Sequence, residues 1–326
     1  MIMHMRRALL VGIDNYPNNA LRCCCNDVDS LNSLLGKHED GSVNFETRVK
    51  KNISEKSKLI ADIKECFSGD ADVALFYYSG HGCIEANGGY LVTPDYNRHD
   101  MGVSLQNILD IVNNSKCKDK FVILDSCFSG DMGNTSFTKD GMSVIGEGVT
   151  ILTACREIES AMELDGHGVF TALLLNALSG EAADLTGHVT IGGIYAYVDK
   201  ALGAWEQRPI FKTNVNRFTS LRDVSPRVNL DILRKITKYF LKEDDEFLLD
   251  PSYEPTNSKK VPHNVVEPYA VDVNTKIFAD LQKLEGVGLV VPVDEEHMYY
   301  AAMNSRSCKL TTIGKQYWRL VKKGKI

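Results

Sequence analysis

Short apolar runs separated by segments of helical spacing constrain this chain more than any other feature. Ala8–Ile13, Val73–Tyr77 and Phe121–Leu124 are apolar on successive positions rather than alternate ones, the pattern of parallel strands covered on both faces. Phe45–Val49 reads as a further strand, and Asp27–Leu35 and Ser104–Asn113 have helical spacing. Ser54 reads as the cap of another helix with apolar positions Leu59, Ile60, Ile63 and Phe67. Alternating strand and helix predict an α/β fold, a mostly parallel sheet flanked by helices on both faces. A loop rich in Gly, Ser and Asp fills 131–148. Val149–Ala154 then reads as a strand, Val169–Leu178 and Val189–Leu202 as helices, and Arg208–Lys212 as a strand.

With 326 residues, 44% of them hydrophobic and 25% charged, the chain has room for one large core and a smaller module. A net charge of −6 points neither to nucleic acid nor to an anionic membrane as a partner. The exception is Arg306–Ile326, with seven Lys or Arg and no acid. No stretch approaches the roughly 18 apolar residues of a membrane span. Arg6-Arg7 run straight into the first strand, without the order of a secretory signal. Nine cysteines, none of them in Cys-x-x-Cys, fit a reduced thiol pool and a cytoplasmic location.

Two of the apolar runs end in chemically distinctive motifs. Val73–Tyr77 leads into Tyr78-Ser79-Gly80-His81-Gly82, and Phe121–Leu124 into Asp125-Ser126-Cys127-Phe128-Ser129-Gly130. A histidine and a cysteine at the ends of neighbouring strands are the minimum apparatus for a thiolate nucleophile with a general base. Gly80 and Gly82 are expected to let the backbone turn sharply at His81. The N–H groups of Gly82 and Cys127 are candidates for holding an oxyanion. Either residue alone would pass for a turn histidine or a core cysteine; the pair in these contexts argues for chemistry.

These motifs resemble the caspase-like cysteine peptidases, and within them the metacaspase and orthocaspase branch. The resemblance covers about Arg6 to Lys212. It also rests on Ala8-Leu-Leu-Val-Gly-Ile, Leu21-Arg-Cys-Cys-Cys-Asn-Asp27, Ile151-Leu-Thr-Ala-Cys and Gly166-His-Gly-Val-Phe-Thr-Ala-Leu-Leu. It implies that His81 is the base and Cys127 the nucleophile, working as a dyad. It further implies an acidic primary pocket built from Cys24, Asp27, Ser79 and Asp125, selecting Arg over Lys before the scissile bond. Arg22 lies one residue from where true caspases place an aspartate-selecting arginine. Cleavage after Asp is therefore the rival reading, and a non-catalytic scaffold or adaptor is a third.

Other candidates are weaker. Cys23-Cys24-Cys25 lacks ligand spacing, so no metal is expected. No cofactor is expected either. Calcium, which many metacaspases need, is disfavoured because Asp95 and Asp100 stand apart and no adjacent aspartate pair precedes the cysteine strand. His167 is read as a structural member of the family's small-subunit motif. Lys139, the basic residue of the 131–148 loop, is the self-cleavage candidate.

The expected organisation is a caspase-like peptidase domain at 1–221, with a large-subunit part to about 130, an activation loop at 131–148 and a small-subunit part at 149–221. Helix and linker follow at 222–270, then a small winged-helix-like α+β module at 271–326. The module is expected to comprise helix Thr275–Leu284, strands Leu289–Val293 and Met298–Met303 around a turn, and helix Ile313–Val321 packed through Ile313, Tyr317, Trp318 and Val321. The first of these helices has no net charge, so a docking role toward a protein partner is preferred to DNA binding. Regulation in a stress or defence pathway is the expectation drawn from analogy.

Overall fold

A computed structural model describes residues 5–85, 88–129, 145–154, 163–164, 166–202, 209–256 and 266–326; for 127–129 and 163–164 it describes the backbone alone. The chain divides into two compact units, Met1–Ser225 and Pro226–Ile326. Lys139 and most of the expected activation loop lie outside the described residues.

The first unit is organised by the apolar strands. β1 (Arg6–Gly12) is followed by α1 (Cys24–Leu35), β2 (Glu46–Lys51), α2 (Lys56–Cys66) and β3 (Val73–Glu85). β4 (Gly88–Asn97), β5 (Asp100–Ser104), α3 (Leu105–Asn113), β6 (Asp119–Ser129) and β7 (Val149–Thr153) continue the chain. The short pair β8 (Glu163–Leu164) and β9 (His167–Gly168) leads into α4 (Val169–Asn176). β10 (His188–Thr190), α5 (Ile191–Leu202), β11 (Ile210–Asn214) and β12 (Ser220–Asp223) complete it.

Among the described residues an eight-stranded sheet has the path β11-β7-β6-β3-β1-β2, with β4 branching from β3 and β5 pairing with β4. The pairings among β2, β1, β3, β6 and β7 are parallel, and β11 closes one edge antiparallel. The fold is thus the expected α/β sheet. Side chains that alternate along a strand feed two cores. Leu9, Val11, Phe76 and Val122 pack with Leu59, Ile63, Leu105 and Ile108 of α2 and α3. Ala8, Leu10, Leu75 and Ile123 pack with Val28, Leu31, Leu174 and Ile194 of α1, α4 and α5 on the other face.

Local chemistry explains where the expectations hold and where they do not. Ser104 caps α3, its hydroxyl accepting the Asn107 N–H at 3.1 Å. Ser54 does not cap α2; the first N–H of that helix, on Lys56, is met instead by the Asp95 carboxylate at 3.1 Å. Val189 belongs to β10 rather than to the helix that follows.

The second unit holds α6 (Leu230–Arg234), α7 (Ile236–Tyr239), β13 (Glu246–Leu248), α8 (Asp272–Gly286), β14 (Val290–Pro292), α9 (Met298–Met303), β15 (Ser307–Leu310) and α10 (Thr312–Lys322). Its antiparallel sheet has the order β13-β15-β14. Part of the stretch expected as helix and linker therefore supplies an edge strand. The expected two-stranded wing is corrected: Met298–Met303 is a helix, and β14 pairs with Ser307–Leu310. Met298, Ala301 and Ala302 are its buried residues, and their i, i+3, i+4 spacing is helical rather than alternating. The packed face expected for the last helix is corrected at one position, since Tyr317, Trp318 and Val321 are half-buried. Ile313 is 56% exposed, while Gly314 sits against the Leu289 carbonyl, where a Cβ would meet the oxygen at 2.0 Å.

Candidate active site

The parallel register of β3 and β6 assembles the site. It pairs Ser79 with Asp125 and, two residues further on, His81 with Cys127. Neighbouring strands lie about 4.8 Å apart, so the histidine and the cysteine are adjacent by backbone placement. The chain does not turn at the histidine as expected. β3 runs on to Glu85, with β4 taking the place of β1 along its edge from Gly82. Gly80 has a different purpose: a Cβ there would lie 2.6 Å from the Tyr78 hydroxyl and 2.7 Å from that of Tyr16.

Those two tyrosines carry the histidine. Tyr16, 6% exposed, accepts the His81 backbone N–H through its hydroxyl at 3.0 Å. Its ring lies 4.5 Å from the imidazole, tilted by 58°. The Tyr16 and Tyr78 hydroxyls are 3.0 Å apart, and burial holds both far above the usual phenol range, so they remain neutral. The imidazole Nε2 is 2.6 Å from the Asn19 carbonyl. A carbonyl only accepts, so Nε2 carries a hydrogen and Nδ1 of the neutral ring is left as the basic nitrogen. Asn19 has φ 58°, a left-handed conformation that asparagine tolerates. Neither Tyr16 nor Asn19 was legible as a site residue, because both reach His81 from a loop more than 60 residues away (Tyr16 by 65, Asn19 by 62).

One turn of α1 supplies the acidic part. Asp14 accepts the Cys24 and Cys25 N–H groups at 2.9 and 3.1 Å, anchoring the start of the helix as a side-chain cap would. Gly12 lets that helix end sit on β1, since a Cβ would meet the Cys24 carbonyl oxygen at 2.2 Å. Asp27 is then 1% exposed and Asp125 6%. The Ser79 hydroxyl donates to Asp27 Oδ2 at 2.7 Å. Thr171 Oγ1 donates to Asp125 Oδ2 at 2.6 Å, and Tyr77 OH, 2.6 Å from Thr171 Oγ1, donates to it in turn. Burial, and next the charge of Asp125, push the Asp27 carboxyl up to about 6, against the hydrogen bonds from Ser79 and His167.

His167, expected to be structural only, lies against this pair: its Nδ1 is 2.8 Å from Asp27 Oδ1. Cys24 is buried beside Ser79, and burial drives its thiol far above the ordinary range. Burial likewise raises Cys25 and Cys83 to about 11 and Cys66 and Cys308 to about 12, so these thiols stay protonated. Arg22 is exposed. Asp100 pairs with Lys56 at 2.7 Å. Among the described residues no group of three or more His, Cys, Asp or Glu is arranged to hold a metal ion.

Comparison with known proteins agrees with this architecture. A family model described as the caspase domain matches residues 5–219. A crystal structure of caspase-1 from Spodoptera frugiperda is similar at 16% identity and a TM-score of 0.50, over 68% of this chain and 91% of that one. A structure of pro-sf-caspase-1 is similar at 14% identity and a TM-score of 0.49, over 68% and 94% of the two chains. No curated protein matches the chain.

Proposed function

The chain belongs to the caspase family of cysteine-type peptidases, and we propose that it cleaves polypeptides after basic residues, Arg before Lys, with His81 and Cys127 as its dyad. The observation that carries the proposal is the β3–β6 register, which pairs Ser79 with Asp125 and His81 with Cys127 two residues further along. Ser79 and Asp125 of the proposed pocket then lie beside the chemistry on one pair of strands, and α1 brings Asp27 to them. Two buried carboxylates held by neutral hydroxyls favour a cation, and a planar guanidinium fits them better than an ammonium. An aspartate side chain would be repelled there.

In the reaction His81 Nδ1 takes the Cys127 thiol proton, and the sulfur attacks the peptide carbonyl carbon. The oxyanion is assigned to the N–H groups of Gly82 and Cys127. As the C–N bond breaks, His81 returns the proton to the leaving amine, and a thioester remains. Water attacks the thioester while His81 takes its proton, which passes to the sulfur as the acid leaves. No step uses a metal or cofactor. Lys139 is retained as the self-cleavage candidate, and the metacaspase and orthocaspase branch as the proposed place within the family.

The C-terminal unit is read as a docking module for a protein partner, of winged-helix-like kind, within a stress or defence pathway. Its basic helix α10 supports this over nucleic-acid binding. Arg319 pairs with Glu243 at 2.5 Å and Lys315 with Asp244, so two of the basic residues of α10 already have acidic partners. Among the described residues no helix is long and apolar enough to cross a membrane, and a cytoplasmic location is retained as the proposal.

Fluorogenic peptides that differ only in Arg, Lys or Asp before the scissile bond test the reading. Release after Arg, lost in Cys127→Ala, is the expected result. Release after Asp instead would overturn the pocket assignment and favour Arg22.

A further inference from the structure

We infer that His167 is a positioning residue for substrate selection, its Nδ1–H holding the Asp27 carboxylate ionised and in one orientation within the pocket. The inference rests on the basic-pocket reading above and assigns that pocket a further wall, β9.

Donor and acceptor accounting comes first. Asp27 is acceptor-only when ionised. Its Oδ2 receives the Ser79 hydroxyl at 2.7 Å, and its Oδ1 lies 2.8 Å from His167 Nδ1, which must therefore carry a hydrogen. The other ring nitrogen faces Asn26 Nδ2 and Ser30 Oγ, both at 3.4 Å. Asn26 Nδ2 also donates to the Gly166 carbonyl at 2.9 Å. One face of α1 thus supplies the carboxylate, the amide and the hydroxyl that fix the ring.

The glycines flanking His167 fit the same purpose. Gly166 has φ 78°, which a side chain would resist, and the chain turns there to deliver the histidine. A Cβ on Gly168 would lie 2.9 Å from Asp125 Oδ2. Consecutive residues of β9 therefore meet both acids, the histidine on Asp27 and the glycine on Asp125. A fold-only role would need neither the donor nor the empty space.

The electrostatics give the hydrogen bond a task. Burial and Asp125 both favour the protonated form of Asp27, while Ser79 and His167 favour the anion. The titratable groups facing Asp27 among the described residues are Cys24 on its own helix, Tyr77 on β3, Asp125 on β6 and His167 on β9. Cys24 and Tyr77 stay neutral and Asp125 opposes the anion, so His167 is the titratable neighbour that favours it, beside the Ser79 hydroxyl. Without its donor, Asp27 takes up a proton at higher pH, and the pocket loses charge for an incoming guanidinium.

The test is the pH dependence of kcat and KM on an Arg peptide, with Asp and Leu peptides alongside, for wild type, His167→Phe and His167→Gln. We expect His167→Phe to raise KM for Arg roughly tenfold or more near neutral pH, the scale of a lost charge-assisted hydrogen bond, with a smaller change in kcat. The pH below which KM climbs should move upward. His167→Gln, whose amide can donate, should recover most of the loss. In an Asp27→Asn background, His167→Phe should add little. If His167→Phe does not melt cooperatively, His167→Ala takes its place. An unchanged KM and profile in a folded variant overturns the inference while leaving the basic pocket standing. A wild type that cleaves after Asp or Leu, and not Arg, overturns the basic pocket and this inference with it.

Discussion

Gly-His-Gly occurs twice in the first unit, at 80–82 and 166–168, and the two copies do opposite things. His81 lies in a long central strand, register partner of a cysteine, with Nε2 tied to the neutral carbonyl of Asn19. Its Nδ1 is thereby left to accept a proton. His167 lies in a two-residue strand with Nδ1 tied to a buried carboxylate. Its proton is held in place. The glycines differ as well: Gly80 makes room for two tyrosine hydroxyls, whereas Gly168 makes room for an aspartate. A tripeptide has no fixed role; the partner at the other end of the hydrogen bond assigns it.

Substitutions ranked by expected effect probe that contrast. His81→Ala removes the proposed base and should lower kcat by about 10²–10⁴-fold at an unchanged thermal midpoint; a drop of less than tenfold in single-turnover rate would remove His81 from the chemistry. Asp27→Asn should act on binding instead, raising KM for Arg peptides roughly 30-fold or more, as for an unpaired buried charge, with kcat nearly preserved.

In the wild type, the raised Asp27 carboxyl sets the pH window. Under the proposed basic pocket, where the Asp27 anion would hold the cation, KM for Arg should rise as pH falls through about 6 and Asp27 is protonated. A KM that is flat from pH 5 to 8 would contradict this. Tyr16→Phe leaves the His81 N–H without its acceptor; it should cost about 1–3 kcal/mol of stability by denaturant unfolding and lower kcat more than it raises KM. Arg22→Ala, at an exposed position, should leave Arg cleavage within about twofold and stability within about 0.5 kcal/mol.

The strands were legible because β1, β3 and β6 are buried on both faces and read as unbroken apolar runs. β4 and β5 were not: β4 branches from the end of β3 and β5 pairs with β4, and their Gly-rich, Pro-containing sequence has no sustained period. Met298–Met303 was misread as a strand since six residues with two tyrosines suit either structure, and burial of Met298, Ala301 and Ala302 decides for helix.

The strand-end positions of His81 and Asp125 could be read from local apolar runs, and Asp27 was singled out only through the family resemblance; the roles of all three are proposals. The partners that define what they do were not legible. Asn19 and Tyr16 reach His81 from the loop after β1, and His167 meets Asp27 across 140 residues of chain. No local periodicity encodes contacts of that range.

The most direct test of the account is to treat the protein with a thiol-reactive peptide analogue ending in arginine and map the adduct by mass spectrometry. The account predicts a single adduct on Cys127, much slower in His81→Ala and in Asp27→Asn. An adduct on Cys23 or Cys25, or equal labelling by an analogue ending in aspartate, would contradict it.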